Sequence, residues 1–418
     1  MQIKVQKLKN GLTVLQIPQK NWPVFSLVVL VKAGGAFVDP TKKGLAHTVE
    51  HLFFKGTKTR PTTADILGSA DKMGTEINAF TGKETMGFYL KARPVHFTKG
   101  LDLLADLVLN PLFREEDLAV EKKAIIEEQH MYHDNPMSWV VELFYQGLFG
   151  KSPLGFSLFG TEKEILSFKS QDLVSFHQKF FTCENAVVVL MGNFPQKLEE
   201  VQKAFSRLKK GKPKFSKEFL ETGKKELIIE PRKTQQTHIV VGTLGAKLGE
   251  VKKRAIQKIL NTILAGGYSL LFREIREKRG WAYYVVGEAE QFLEAGTFLI
   301  RVGIAPDKTE EALKIILDRF AKLQKEIDEV EIKRAKEFLK GKLALSMENS
   351  TTASIFFGEE QLLRGEVLVP EKIFDLIDKI KKEEIIEEAK ELFNQRIYCA
   401  IIGKGKFGKI KRILKGGI

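Results

Sequence analysis

His47, Glu50 and His51 stand together in the run Gly44-Leu45-Ala46-His47-Thr48-Val49-Glu50-His51-Leu52-Phe53-Phe54-Lys55-Gly56. The residues of this run suit a helix, and Gly56 is placed to cap its end. On a helix, positions i, i+3 and i+4 share a face. Two imidazoles one turn apart can chelate a single Zn²⁺, and the carboxylate between them can then address a metal-bound water. The order, H-x-x-E-H, is the inverse of the HExxH arrangement. With only seven histidines in the chain, chance would produce this pattern in roughly one such chain in a hundred. The bland alternative is a solvated helix face.

Two histidines and a water leave one protein ligand to come from elsewhere. Phe113 to His133 reads as one long, carboxylate-rich helix. Glu121 and Glu128 lie two turns apart and share a face, whereas Glu127 is turned away by about 100°. A helix carrying two inward carboxylates can supply one ligand and one partner for a ligand imidazole's N–H. Spacing alone does not single out Glu128. His130 and His133 on the same stretch read as exposed or capping residues, and His96, His177 and His238 as structural.

The elements that must position these groups follow from periodicity. Thr13–Gln16 and Phe25–Lys32 are strand-like, as are Glu226–Glu230 and His238–Gly242 at a matching spacing in the second half. Each half ends in an amphipathic helix and a strand, Ser170–Phe180 then Ala186–Met191, and Glu383–Phe393 then Tyr398–Ile402. Periods of 2 and 3.6 alternate in both halves. The expected fold is α+β: two duplicated domains, each a mainly antiparallel sheet covered by helices. The Lys-, Gly- and Pro-containing stretch 209–225 reads as a linker between domains 1–208 and 226–418.

With 43% hydrophobic and 29% charged residues, the chain has a globular balance, which excludes wholesale disorder. The net charge of +14 would attract an anionic partner, but the lysines of the linker and of the tail Lys404 to Lys415 lack an interleaved aromatic platform or recognised binding module. No nucleic-acid or membrane partner is expected. Cys183 and Cys399 adjoin apolar strands and read as buried thiols. The N-terminal stretch lacks a secretory signal's apolar core, and the most apolar run, Val24 to Val31, is far shorter than the ~20 residues that span a bilayer. The expectation is a soluble, cytoplasmic protein.

Taken in order, these segments resemble the inverted-zincin peptidase family that contains pitrilysin, insulysin and the mitochondrial processing peptidases. The likeness covers essentially the whole chain. It runs from Asn10-Gly11-Leu12 and Ala33-Gly34-Gly35 through the H-x-x-E-H segment, Asn78-Ala79-Phe80-Thr81, and Glu121 to Glu128 with Asp134-Asn135-Pro136. It ends in Leu271-Phe272-Arg273-Glu274-Ile275-Arg276-Glu277-Lys278-Arg279-Gly280-Trp281-Ala282-Tyr283. The resemblance implies a zinc endopeptidase with one Zn²⁺ per chain. His47, His51 and Glu128 would be the ligands, with Glu127 the alternative third ligand, Glu121 the carboxylate behind them and Glu50 the general base. Asn78 and Ala79 match the edge strand that pairs with an extended peptide substrate. Arg276 and Tyr283 match the Arg and Tyr presented to that peptide and its tetrahedral intermediate. A two-domain chain of this family is expected to pair with another chain, here as a homodimer. Ala265-Gly266-Gly267-Tyr268-Ser269-Leu270-Leu271 is bulkier than the family's Gly- and Ser-rich stretch there. The alternative function is a non-catalytic partner or scaffold subunit; such members typically have degraded zinc motifs, whereas this one is intact.

Overall fold

The computed structural model describes residues 2–195, 198–215, 222–405 and 407–416. Residues 216–221 of the expected linker and Lys406 of the basic tail lie outside the described residues. The fold is α+β, with two mixed, mainly antiparallel sheets.

The first sheet is built from β1 (Lys4–Lys7), β2 (Thr13–Pro18), β3 (Phe25–Val31), β4 (Glu76–Thr81), β5 (Met86–Ala92) and β6 (Ala186–Gly192), in the order β1-β2-β6-β3-β5-β4. The second contains β7 (Leu227–Pro231), β8 (Thr237–Gly245), β9 (Ala282–Gln291), β10 (Gly296–Ile304) and β11 (Tyr398–Gly403), in the order β7-β11-β8-β10-β9. Leaving β1 aside, the two orders correspond strand for strand. In both, the first pair is parallel, β2 with β6 and β7 with β11, and the remaining pairs are antiparallel. The duplicated rhythm of the sequence is therefore a duplicated topology.

Every residue of β3 and β6 is buried. Such continuous apolar runs occur where both faces of a strand are covered. On one side, Leu27, Val29, Val31, Val188 and Leu190 join a core with Leu52, Phe53, Leu101 and Leu104. On the other side lies the helix Ser350–Glu359, drawn from the C-terminal half of the sequence. Gly358 permits this approach: a Cβ there would sit 2.5 Å from Leu30 Cδ1 and 2.9 Å from Val189 Cγ2. Ser26 and Ser350 meet there through their hydroxyls at 2.7 Å.

This exchange is reciprocal. The helix Pro136–Phe149, from the N-terminal half, packs on β11 and β8 of the second sheet. The compact units accordingly depart from the contiguous halves expected at 1–208 and 226–418. The first unit comprises Met1–His130, Phe156–Lys217 and Leu345–Val369, and the second Met131–Gly155, Glu218–Ala344 and Pro370–Ile418. Helical periodicity specifies an apolar face but not the sheet that covers it, so sequence order alone suggested unbroken halves.

Candidate metal centre

The motif helix spans Leu45–Phe53 and begins at Gly44, whose left-handed φ of 85° needs a glycine. Leu45, Ala46, Val49, Leu52 and Phe53 are buried in the first core, which fixes the helix's rotation. Its end differs from expectation: Phe54 is the cap, and Gly56 lies beyond in an extended segment that bridges to Pro111 through Thr57. The helix that carries the carboxylates spans Glu115–Asp134, where Leu118, Glu121 and Ile125 are buried.

The two helices bring His47, His51 and Glu128 together, with one ligand-type atom from each within 4.8 Å of the others. His47 Nε2 lies 3.3 Å from His51 Nε2. Glu128 Oε2 lies 3.2 Å from His51 Nε2 and 3.8 Å from His47 Nε2. A tetrahedral ion with bonds of ~2.0–2.1 Å holds its ligand atoms about 3.3 Å apart, so the triangle fits such a cation. Among the described residues this is the one group of three or more His, Cys, Asp or Glu side chains so arranged. Glu127 is exposed on its helix and is not a member.

Behind the triad, His51 Nδ1–H donates to Glu121 Oε1 at 3.0 Å, and the Lys55 ammonium pairs with Glu121 Oε2. Glu121 is thus the outer carboxylate that orients one imidazole. His47 is held differently. Its Nδ1 is buried and finds no partner, and its ring lies edge-on to Phe159 at 4.8 Å between centroids.

Electrostatics follow from this asymmetry. Burial, with His51 adding to it, pushes His47 down to about 4. Burial opposes the charge on His51 too, but Glu121 and Glu128 override it and raise His51 to about 9. The hydrogen bond from His51 lowers Glu128, against its burial. Burial raises Glu50, opposed by the nearby Thr81 hydroxyl and by His51. Thr81 Oγ1 itself is buried and makes no hydrogen bond of ordinary geometry. With the Lys55 ammonium already opposite Glu121, Glu50 and Glu128 beside the two imidazoles are the carboxylates that a cation would balance.

Asn78 and Ala79 lie on β4, one of the two edge strands of the first sheet and the one against which the motif helix packs. Asn78 is exposed and Ala79 buried. Arg276 and Tyr283 belong to the second unit. Arg276 is exposed on a π-helical turn, Phe272–Glu277, with its guanidinium over the Phe272 ring. Tyr283 is 69% exposed on β9. Of the five other histidines, His177 donates to the Val108 carbonyl, His238 pairs with the Tyr284 hydroxyl, His133 packs edge-on to Trp139, His130 is exposed and His96 is half-buried. Cys183 and Cys399 are buried thiols. Two residues beside the site carried no reading from sequence. Lys55 sits at the i+4 spacing from His51, which was a usable signal. Phe159 is remote in sequence and had none.

Among the described residues, no helix is long and apolar enough to cross a membrane. Residues 14–162 match the family model described as insulinase, peptidase family M16, and residues 167–339 match the one described as the peptidase M16 inactive domain. A protein of Rickettsia bellii (strain RML369-C) described as an uncharacterized zinc protease is 31% identical over 96% of this chain and 97% of its own length. A similarly described protein of Bacillus subtilis (strain 168) is 30% identical over 96% of this chain and 98% of its own. The crystal structure of a protease from Helicobacter pylori superposes with a TM-score of 0.89 over 96% of this chain and 99% of that one, at 22% identity, a likeness of fold. The chain belongs to peptidase family M16.

Proposed function

We propose that this chain is a zinc-dependent endopeptidase acting on short or unfolded peptides bound in extended form. The observation that carries the reading is the convergence of His47 Nε2, His51 Nε2 and Glu128 Oε2 within 4.8 Å, with Glu50 on the same helix as the two histidines. One zinc ion held by these three residues would supply a Lewis acid and bring the pKa of water toward ~7. Glu50, whose proton affinity is raised by burial, is suited to accept a proton from that water and return it to the leaving amine. Glu121 fixes the His51 ring so that Nε2 faces the ligand cluster.

β4 is an edge strand of the first sheet, and at Ala79 the backbone N–H is held by the Asn78 side-chain Oδ1 at 2.9 Å, a bond that an added strand could replace. An extended peptide can add to such an edge, so backbone and not sequence dominates its recognition. Arg276 makes no ion pair among the described residues, and Tyr283 is exposed. Both are available as donors to the peptide and its developing oxyanion. The reading includes a homodimer and a cytoplasmic location. Glu50→Gln tests it: cleavage of a quenched fluorescent peptide should fall by about 10²–10⁴-fold while zinc content stays at one per chain. Undiminished cleavage would sink the mechanism. A wild-type chain with neither zinc nor cleavage would instead support a scaffold subunit.

A further inference from the structure

Lys55 joins the two ligand-bearing helices. It follows the motif helix, which ends at Phe53, and both its polar ends reach the second helix or the residue that enters it. Its ammonium pairs with Glu121 Oε2. Its carbonyl oxygen accepts from Arg114 Nη2 at 3.1 Å, and Arg114 is in turn fixed by Nε donating to Asp117 Oδ2 at 2.6 Å. The lysine side chain is 29% exposed and that of Glu121 10%. A charge pair so shielded is screened less than a surface one.

Glu121 has two oxygens and two partners. One accepts from His51, and the other meets Lys55. A carboxylate anchored at a single oxygen can rotate about its terminal torsion, a broad and soft degree of freedom. The lysine removes that freedom and offsets the repulsion from Glu128. His47 has no comparable support, because its Nδ1 is unpartnered. Among the described residues, then, the relay Lys55–Glu121–His51 is the side-chain chain that orients a ligand imidazole.

We propose that Lys55 is a positioning residue for metal binding: it fixes Glu121, and Glu121 fixes His51 with Nε2 toward the cluster. The inference rests on the zinc reading of that cluster. The test measures zinc affinity of the full chain by competition with a chromophoric chelator, beside circular-dichroism melting. Lys55→Met should weaken zinc binding by about 10-fold with a cooperative melt retained. Lys55→Arg, which keeps the cation, should return affinity to within about threefold of wild type, a smaller loss than the ~10–100-fold that follows removal of an outer partner. In a Glu121→Gln background, Lys55→Met should add nothing, since its route to the metal is already cut. Lys55→Gln, which preserves polarity and removes the charge, gives the same reading should the methionine variant not fold. Wild-type affinity in the Lys55→Met or Lys55→Gln variant, or effects that add in the double variant, would overturn the role of Lys55 alone. Absence of zinc binding by the wild-type chain would overturn the zinc reading as well.

Discussion

Lys122 and Lys336 occupy corresponding places in the two units. Lys122 Nζ donates to the carbonyls of Leu166 and Phe168 at 3.0 and 2.6 Å. Lys336 Nζ donates to those of Asp378 and Ile380 at 3.1 and 2.6 Å. Each ties its unit's long helix to the turn before the helix that leads into the parallel-paired strand, Ser170–Phe180 before β6 and Lys382–Phe393 before β11. The sequence interval between these lysines equals that between Asn135 and Asn349, whose side chains cap the two exchanged helices. At the same interval, Glu121 corresponds to Ala335 and Glu128 to Lys342. The second unit thus keeps the clamp, the cap and the strand order, but has a methyl group in place of the orienting carboxylate and a cation in place of a candidate ligand. The backbone that positions a site and the side chains that constitute it are separable, and duplication has kept the first while the second diverged.

The largest effect should come from asking whether the second unit still takes part in chemistry. Arg276→Ala should lower kcat for peptide cleavage by about 10²-fold, as loss of one oxyanion donor does, with zinc content unchanged. Wild-type kcat would make the second unit a support only and would break the proposed division of labour. Next come the matched lysines. Lys122→Met and Lys336→Met should each destabilise the chain by roughly 1.5–3 kcal/mol, the range for hydrogen bonds to a charged group, measured by urea unfolding. Only Lys122→Met should also weaken zinc binding, because its helix carries Glu121 and Glu128. Equal zinc affinities would mean that the clamp does not set the ligand geometry.

The smallest effect concerns pH. Glu388 in the second unit accepts from Gln257 Nε2 at 2.7 Å, and burial, opposed by Gln257 and Lys253, pushes its carboxyl up from 4.5 to about 7. A raised folded-state pKa gives stability that is fully present below about 4.5 and is lost as pH rises through about 7. Glu388→Gln should therefore raise the melting midpoint at pH 8 by no more than roughly 2–4 °C, given screening by Lys253. At pH 4 it should change little. An equal gain at both pH values would assign the effect to packing.

What was legible in the sequence was what repeats at a fixed period. The histidine pair and Glu50 could be placed on one face because an i, i+3, i+4 pattern encodes a face. Strands such as Phe25–Val31 could be placed because apolar β-branched runs encode burial. Glu128 and Glu127 were not separable by spacing, since choosing between them requires knowing which way the helix rolls. The buried Leu118 and Ile125 settle that roll. The exchange of Pro136–Phe149 and Ser350–Glu359 was not legible at all, because an amphipathic helix does not name its partner sheet. The end of the motif helix was misplaced by a glycine, where the chain instead leaves the helix early to form the Thr57 bridge.

The borrowed helix also imposes an order of events on a chain made from its N-terminus. Domains usually fold in the order in which they leave the ribosome. Here the outer face of β3 and β6 is covered by Ser350–Glu359, so the first unit lacks a layer until synthesis has passed Glu359. The second unit's borrowed helix, Pro136–Phe149, has by then long been available. The first unit finishes late, and a ribosome that stops short of Ser350 releases the unit that carries the histidine motif with an apolar sheet face exposed.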